Sequence, residues 1–161
     1  RIGFILQEPY LFTGTIRDNI LYGHSKYAGY SGEQLMQLLT EHNVAELVSR
    51  FADGLDTKVS SSGETISLGQ KQLIAFMRAV LRDPEILILD EATANVDTVT
   101  EQLLEQILTK LPASTTKVII AHRLNTIADA DEIFFINAGT ITPAGSMEHA
   151  LEMLLHHKRE S

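Results

Sequence analysis

Ile86-Leu87-Ile88-Leu89-Asp90-Glu91 decides the fold: four aliphatic residues run straight into two adjacent carboxylates. An unbroken aliphatic run of this kind is the mark of a strand buried on both faces of a parallel sheet. Its carboxyl end, where the two acids stand, is the edge at which open α/β sheets bind ligands. One such acid has the chemistry to hold a magnesium ion, the other to polarise a water. Upstream, Asp83-Pro84 stops a helix that Ser67 opens as N-cap, with Leu73, Ile74, Met77, Val80 and Leu81 as its apolar positions. Downstream, Asp97 or Thr98 opens a helix carrying Leu103, Leu104, Ile107, Leu108 and Leu111, ended before Pro112. Val118 to Ala121 and Ile133 to Ile136 read as two further buried strands. Asn137-Ala138-Gly139 turns the chain into Thr140 to Thr142, and Ser146 to His156 is a last helix.

Toward the amino end, Ile2 to Leu6 reads as a short buried strand ending at Gln7-Glu8-Pro9, where proline forces a loop. Gly14 and Gly23 bracket a short helix over Thr15 to Tyr22, and Ser25 to Gly32 reads as a surface turn. Leu35, Leu38, Leu39, Leu47, Val48 and Phe51 recur at helical spacing between Glu33, Glu41 and Glu46, which predicts one or two amphipathic helices. Asp53 to Gly63, with its glycines and serines, reads as a loop. Lys71, Arg78 and Arg82 fall along one helix as a solvated face, and His156-His157-Lys158-Arg159 reads as a frayed tail. Strands alternating with helices predict an α/β sheet with a helical insertion over residues 25–82.

The chain has 161 residues, 44% hydrophobic and 21% charged, enough for one globular domain and short for two. Thirteen Lys and Arg against 21 Asp and Glu leave a net charge of -8, which argues against nucleic acid as a partner. With no cysteine there is no disulfide framework, thiolate zinc site or cysteine nucleophile. The apolar runs fall short of the roughly 20 residues a membrane helix needs, and no signal peptide is visible. Opening on Arg1 directly before an apolar segment, the chain reads as part of a longer protein.

The acidic strand end continues as Ala92-Thr93-Ala94-Asn95-Val96-Asp97, and Ser67-Leu68-Gly69-Gln70-Lys71-Gln72 lies upstream of it. Together these resemble the ATP-binding-cassette ATPases, specifically the nucleotide-binding domain of ABC exporters. Phe4 to Glu8, Leu11-Phe12 and Thr15 to Ile20 look like the exporter Q-loop region. Gly54 to Thr57 matches the segment ahead of the signature, and Ile66 to Gln70 sits on the signature motif itself. Ile86 to Asp90 is similar to the Walker B strand, Ala94 to Asp97 to the D-loop, and Ile119 to Leu124 to the switch region with its histidine.

The resemblance implies a P-loop-NTPase-like α/β fold, incomplete here, spanning residues 1–161. Within it, residues 1–24 are the Q-loop region and 25–82 the helical subdomain with the signature. Residues 83–161 are the part carrying Walker B, D-loop and switch histidine. It implies ATP and Mg2+, with Glu91 orienting the attacking water, Asp90 and Gln7 on magnesium, and His122 sensing the γ-phosphate. Ser67, Gly69 and Gln70 lie at a helix start, where free N–H groups and the dipole favour a phosphate. In the family this surface meets ATP held by the opposite subunit, and Asp97 both caps a helix and touches the partner's site. The implied partners are a second nucleotide-binding domain and a transmembrane domain, at the cytoplasmic face of a membrane.

Three departures stand against the pattern. Leu68 occupies a signature position usually held by glycine, Ser60-Ser61 replaces a Gly-Glu pair, and no Gly-Lys dipeptide occurs anywhere. The phosphate-cradling loop with its lysine, and any aromatic adenine platform, are therefore missing from this chain. The expected function is the ATP-hydrolysing part of an exporter subunit, inactive as this chain alone. Two alternatives are a non-catalytic dimerisation or docking module and an ABC ATPase of DNA-repair type, the latter disfavoured by the acidic balance.

Overall fold

The computed structural model describes residues 1–62, 65–91, 95–121 and 127–160, in two compact units, residues 1–120 and 121–161. In chain order the elements are β1 (Ile2–Ile5), β2 (Gly14–Thr15), α1 (Ile16–Leu21), α2 (Gly32–Glu41), β3 (Lys58–Val59) and α3 (Leu68–Val80). They continue as β4 (Ile86–Asp90), α4 (Thr98–Lys110), β5 (Thr116–Ile120), β6 (Phe134–Asn137), β7 (Thr140–Pro143) and α5 (Met147–Glu160).

In the first unit, β4 lies between β1 and β5 in a parallel sheet, with Ile5 opposite Leu89 and Leu89 opposite Ile119. A parallel order needs crossovers, and the long stretch from β1 to β4 and the helix α4 supply them. The face carrying Gly3, Ile5, Leu87 and Leu89 is buried, and α3 packs on β1 there. Gly3 is pressed closely: a Cβ on it would lie 3.0 Å from Leu87 Cδ1 and 3.4 Å from the Ala79 carbonyl oxygen. The opposite face corrects the expectation of strands buried on both sides. Ile2, Phe4, Ile86, Val118 and Ile120 are all exposed, Ile2 by 60% and Phe4 by 49%. An aliphatic run reports what a strand would bury, not what covers it.

The core is mostly helical. Leu35, Leu38, Leu39, Leu47, Val48 and Phe51 are buried, as their spacing predicts, and so are Leu73, Ile74, Met77, Val80 and Leu81 of α3 and its end. Leu35, Leu38 and Leu39 lie on α2, Leu47 and Val48 on a 3-10 helix over Ala45–Arg50, and Phe51 is that helix's C-cap. Helix α3 starts after Ser67 and stops at Val80, just ahead of Asp83-Pro84, where Asp83 takes φ 46°. Three expectations fail locally. The loop over Asp53 to Gly63 contains a 3-10 turn and the strand β3, which pairs antiparallel with β2. The turn over Ser25 to Gly32 is not purely superficial, because Tyr27 is buried. Arg78 is not on a solvated face either: its Nε donates to the Asn19 carbonyl at 2.7 Å, and its guanidinium lies over the Tyr22 ring.

Among its described residues the second unit holds a hairpin and a helix. Where Ile133 to Ile136 is expected as a third buried strand, Phe134–Asn137 forms β6 and pairs antiparallel with β7, leaving Phe134, Ile136 and Ile141 exposed. Ala138 (φ 45°) and Gly139 (φ 79°) make the two-residue turn, both left-handed as a type I′ hairpin requires. The tail expected to fray continues as helix α5 to Glu160.

Candidate functional site

Strand β4 delivers Asp90 and Glu91 to the carboxyl edge of the sheet, both half-buried. The ladder holds them: Asp90 is opposite Ile120, and the Glu91 N–H donates to the Ile120 carbonyl at 3.0 Å. Glu91 itself sits at φ 50°, a left-handed backbone that costs a non-glycine residue about 1–2 kcal/mol. The chain turns sharply there. Gln7 follows β1, the adjacent parallel strand, two residues past the Ile5–Leu89 pair, so its side chain leaves the same edge and is exposed. A carboxylate and an amide oxygen from neighbouring strand ends are the hard donors magnesium takes, the remaining positions going to water and phosphate. The donor set fits that ion.

The second part of the site is the start of α3. Ser67 has the extended backbone of an N-cap, its Oγ accepting from the Gln70 N–H at 3.1 Å and its own N–H donating to Gln70 Oε1 at 2.9 Å. This capping box uses two of the four N–H groups that no helix can satisfy internally. The N–H groups of Leu68 and Gly69 are left for an anion, with the positive end of a 13-residue helix behind them. Gln70 is thereby occupied: its Nε2 also donates to the Arg50 carbonyl at 3.0 Å, so its amide fixes the turn rather than facing outward. Gly69 is buried against the segment that follows the acidic strand. A Cβ on it would lie 2.5 Å from the Asn95 carbonyl oxygen and 3.2 Å from Val96 Cγ1. Glycine is required at 69 by the chain's own backbone before any phosphate is considered.

Asp97 caps α4, accepting from the Thr100 N–H at 3.0 Å and from Thr100 Oγ1 at 2.6 Å. The Thr100 hydroxyl, then its N–H, with the Arg50 cation helping, hold this carboxyl below its ordinary range despite a small desolvation penalty. Asp97 is therefore ionised and exposed at neutral pH. Of the residues singled out in the sequence, Gln7, Asp90 and Glu91 share the sheet edge, while Ser67, Gly69 and Gln70 share the helix start. Gly69 and Asn95 bring that helix start against the segment leading to Asp97. His122 and residues 92–94 lie outside the described residues. The structure adds Arg50, Gln72 and Thr100. The Asp97-x-x-Thr100 spacing was readable as a cap; nothing in the sequence marks Arg50 or Gln72.

An acidic strand end beside a capped helix start, on a parallel sheet with a helical insertion, defines a partial nucleotide-hydrolase fold. A family model described as ABC transporter matches residues 1–94. The chain belongs to that family. It is 45% identical over 150 residues to the ABC transporter ATP-binding protein YfiC of Bacillus subtilis, covering 93% of this chain and 24% of that protein. A multidrug resistance ABC transporter ATP-binding and permease protein of Lactococcus lactis is 43% identical over 145 residues, 90% of this chain and 24% of its own length. Among solved structures, a bacterial Atm1-family ABC exporter with ATP bound superposes with a TM-score of 0.76 at 34% identity, over 94% of this chain and 26% of that one. The chain thus spans about a quarter of the length of these three relatives, and its architecture is a partial ABC ATPase fold.

Proposed function

We propose that this chain is the signature-motif part of an ABC exporter subunit, which as a whole protein binds and hydrolyses ATP to drive transport across a membrane. The observation that carries this reading is the shared sheet edge: parallel neighbours β1 and β4 end in Gln7 and in Asp90-Glu91. Glu91 orients the attacking water and takes up its proton, from a backbone fixed by the Ile120 hydrogen bond. Asp90 and Gln7 are the residues that would hold Mg2+, which when bound offsets negative charge on the phosphates. Ser67 and the N–H groups of Leu68 and Gly69 receive the γ-phosphate of an ATP bound by a second nucleotide-binding domain, while His122 is assigned by family resemblance to sensing a γ-phosphate. Asp97, ionised and exposed, faces the partner. A transmembrane domain completes the protein, which places this part at the cytoplasmic face of a membrane. No helix among the described residues is long and apolar enough to cross one.

Residues 1–161 contain no Gly-Lys dipeptide, so the loop that cradles the β- and γ-phosphates is not in this chain. Alone, it should show no magnesium-dependent ATPase activity. In the whole subunit, Glu91→Gln should leave ATP binding intact and stop hydrolysis. Calorimetry and a steady-state phosphate-release assay test both statements. Turnover by the 161-residue chain that Glu91→Gln abolishes would overturn the first, and hydrolysis surviving Glu91→Gln in the whole subunit would overturn the second.

A further inference from the structure

Helix α3 buries one residue that its apolar face does not account for. Gln72 is 1% exposed, two residues beyond the capping box and beside the fully apolar positions Leu73 and Ile74. Its Nε2 donates to the main-chain carbonyl of Gln7 at 2.8 Å, across 65 residues of sequence. Its Oε1 is buried with no hydrogen-bond partner among the described residues. The acceptor is a carbonyl, so the nitrogen must face it, and turning the amide over would lose the bond. A methionine of similar length would fill the space without burying an unpaired oxygen, which weakens a fold. The glutamine is therefore costly in stability, and what it holds is the peptide unit of Gln7.

That peptide needs holding. The β1–β4 ladder ends at the Ile5–Leu89 pair, so Gln7 lies two residues beyond the last pairing, just ahead of Pro9. Asp90 is fixed by its own ladder to β5, but Gln7 has no strand partner. We infer that Gln72 is a positioning residue for the metal-ligating oxygen of Gln7: it pins the Gln7 backbone to α3 and so sets the exposed amide at a fixed place relative to Asp90. The inference rests on the reading of Gln7 as a magnesium ligand given above. It also joins α3 to both halves of the site, since the same helix carries Ser67 and Gly69 at its start.

The test uses Gln72→Met, with Gln72→Asn, which withdraws the donor by one methylene, as the second variant. The first readout needs neither nucleotide nor metal. The Gln7 carbonyl and the Glu8 N–H belong to one peptide unit, so loss of the bond moves the Glu8 amide nitrogen resonance, while Gln34, at the start of α2, stays in place. The second readout, in the whole ATPase subunit, is the Mg2+ concentration for half-maximal turnover. It should rise about tenfold, as loss of an outer-shell hydrogen bond to a metal ligand typically does, with KM for ATP within about twofold. Gln7→Ala should give at least the same rise, and the double variant no more than Gln7→Ala alone, because the two act as one unit. Unchanged Mg2+ dependence in both Gln72 variants, where Gln7→Ala does shift it, would overturn the positioning role and leave the site reading intact. An additive double variant would overturn it as well. If Gln7→Ala itself leaves the Mg2+ dependence unmoved, it is the metal assignment that fails.

Discussion

The starts of α2 and α3 are near copies. Ser31 and Ser67 share the same extended backbone, at φ -67°, ψ 166° and φ -71°, ψ 161°. Each closes a Ser-x-x-Gln box, with Oγ···N distances of 3.2 and 3.1 Å and N···Oε1 distances of 2.9 Å in both. Each heads an amphipathic helix. What differs is what packs around them. Gly32 faces open space, with nothing within 4 Å of a Cβ placed on it, whereas Gly69 is pressed on the Asn95 carbonyl. Gln34 is exposed, whereas Gln70 reaches across to Arg50. The lesson is that the capping box is helix architecture and carries no function alone. The site proposed on α3 rests on its neighbours: the acidic strand end, the segment before Asp97, and Gln7, whose carbonyl accepts from Gln72.

The largest expected difference between the two starts is in turnover of the whole subunit. Ser67→Arg should suppress it by on the order of a hundredfold, the usual scale for losing a positioned charge-stabilising group. Ser31→Arg, which breaks the same kind of cap, should leave turnover per folded molecule unchanged. Leu68→Gly should preserve or raise activity by a few-fold at most, since it removes bulk and widens φ beside the two free N–H groups. If Leu68→Gly kills activity and Ser67→Arg does not, the start of α3 does not face ATP and is no more a site than that of α2.

Next in size is a pair of stability changes of opposite sign. Gly69→Ala forces a methyl against a backbone carbonyl and should cost about 1–3 kcal/mol, the range for overpacking. Gly32→Ala should raise stability, by up to about 1 kcal/mol, through the unfolded chain. Urea denaturation of both variants decides it. Equal effects would mean that Gly69 is not confined. By contrast, Ser31→Ala and Ser67→Ala should each cost about 1 kcal/mol, and a gap of more than about 1 kcal/mol between them would break the claim that the caps are equivalent.

The smallest effects are those of pH, and they separate α4 from both. The caps of α2 and α3 are neutral, but Asp97 is a carboxylate with its pKa lowered in the fold. A lowered acid stabilises the native state above its unfolded value of about 3.9 and loses that contribution as pH falls through the folded value. Amide exchange at Thr100 should therefore accelerate in acid relative to that at Gln34 and Gln70, once corrected for intrinsic rates. His24 adds a milder slope at higher pH. Burial holds its imidazole below the usual value, with the Arg82 and Arg78 cations adding to this, and the Arg78 carbonyl and Asp83 opposing. The unfolded chain then binds more protons below about 6.5, so stability declines as pH drops from 7 toward 5. A His24→Gln variant should flatten that slope; an unchanged slope would assign it elsewhere.

Much of this arrangement is legible in the sequence because it is local. Ser67, the period of Leu73, Ile74, Met77 and Val80, and the stop at Asp83-Pro84 specify α3 without reference to anything distant. Asp90-Glu91 after four aliphatic residues specify the sheet edge in the same way. The β2–β3 pair is not legible, since two residues per strand carry no period. The exposed face of the sheet and the exposed β6–β7 hairpin are not legible either, because Val118, Ile120, Phe134 and Ile136 read as buried on composition. Gln72 is hidden for a related reason. A glutamine within a helix reads as part of its polar face, and only the three-dimensional structure puts Gln7 within reach of it.

The left-handed backbone of Glu91 has a consequence for how this position accepts mutation. Glutamate is poorly suited to φ 50°, and glycine, one base change away, is the residue that backbone prefers. With the catalytic role proposed for Glu91, folding and chemistry pull position 91 in opposite directions. A library randomised at this codon and selected only for folded protein should enrich glycine over glutamate, whereas selection for transport should return glutamate. Without the demand for hydrolysis, the acid would be among the first features of the chain to drift.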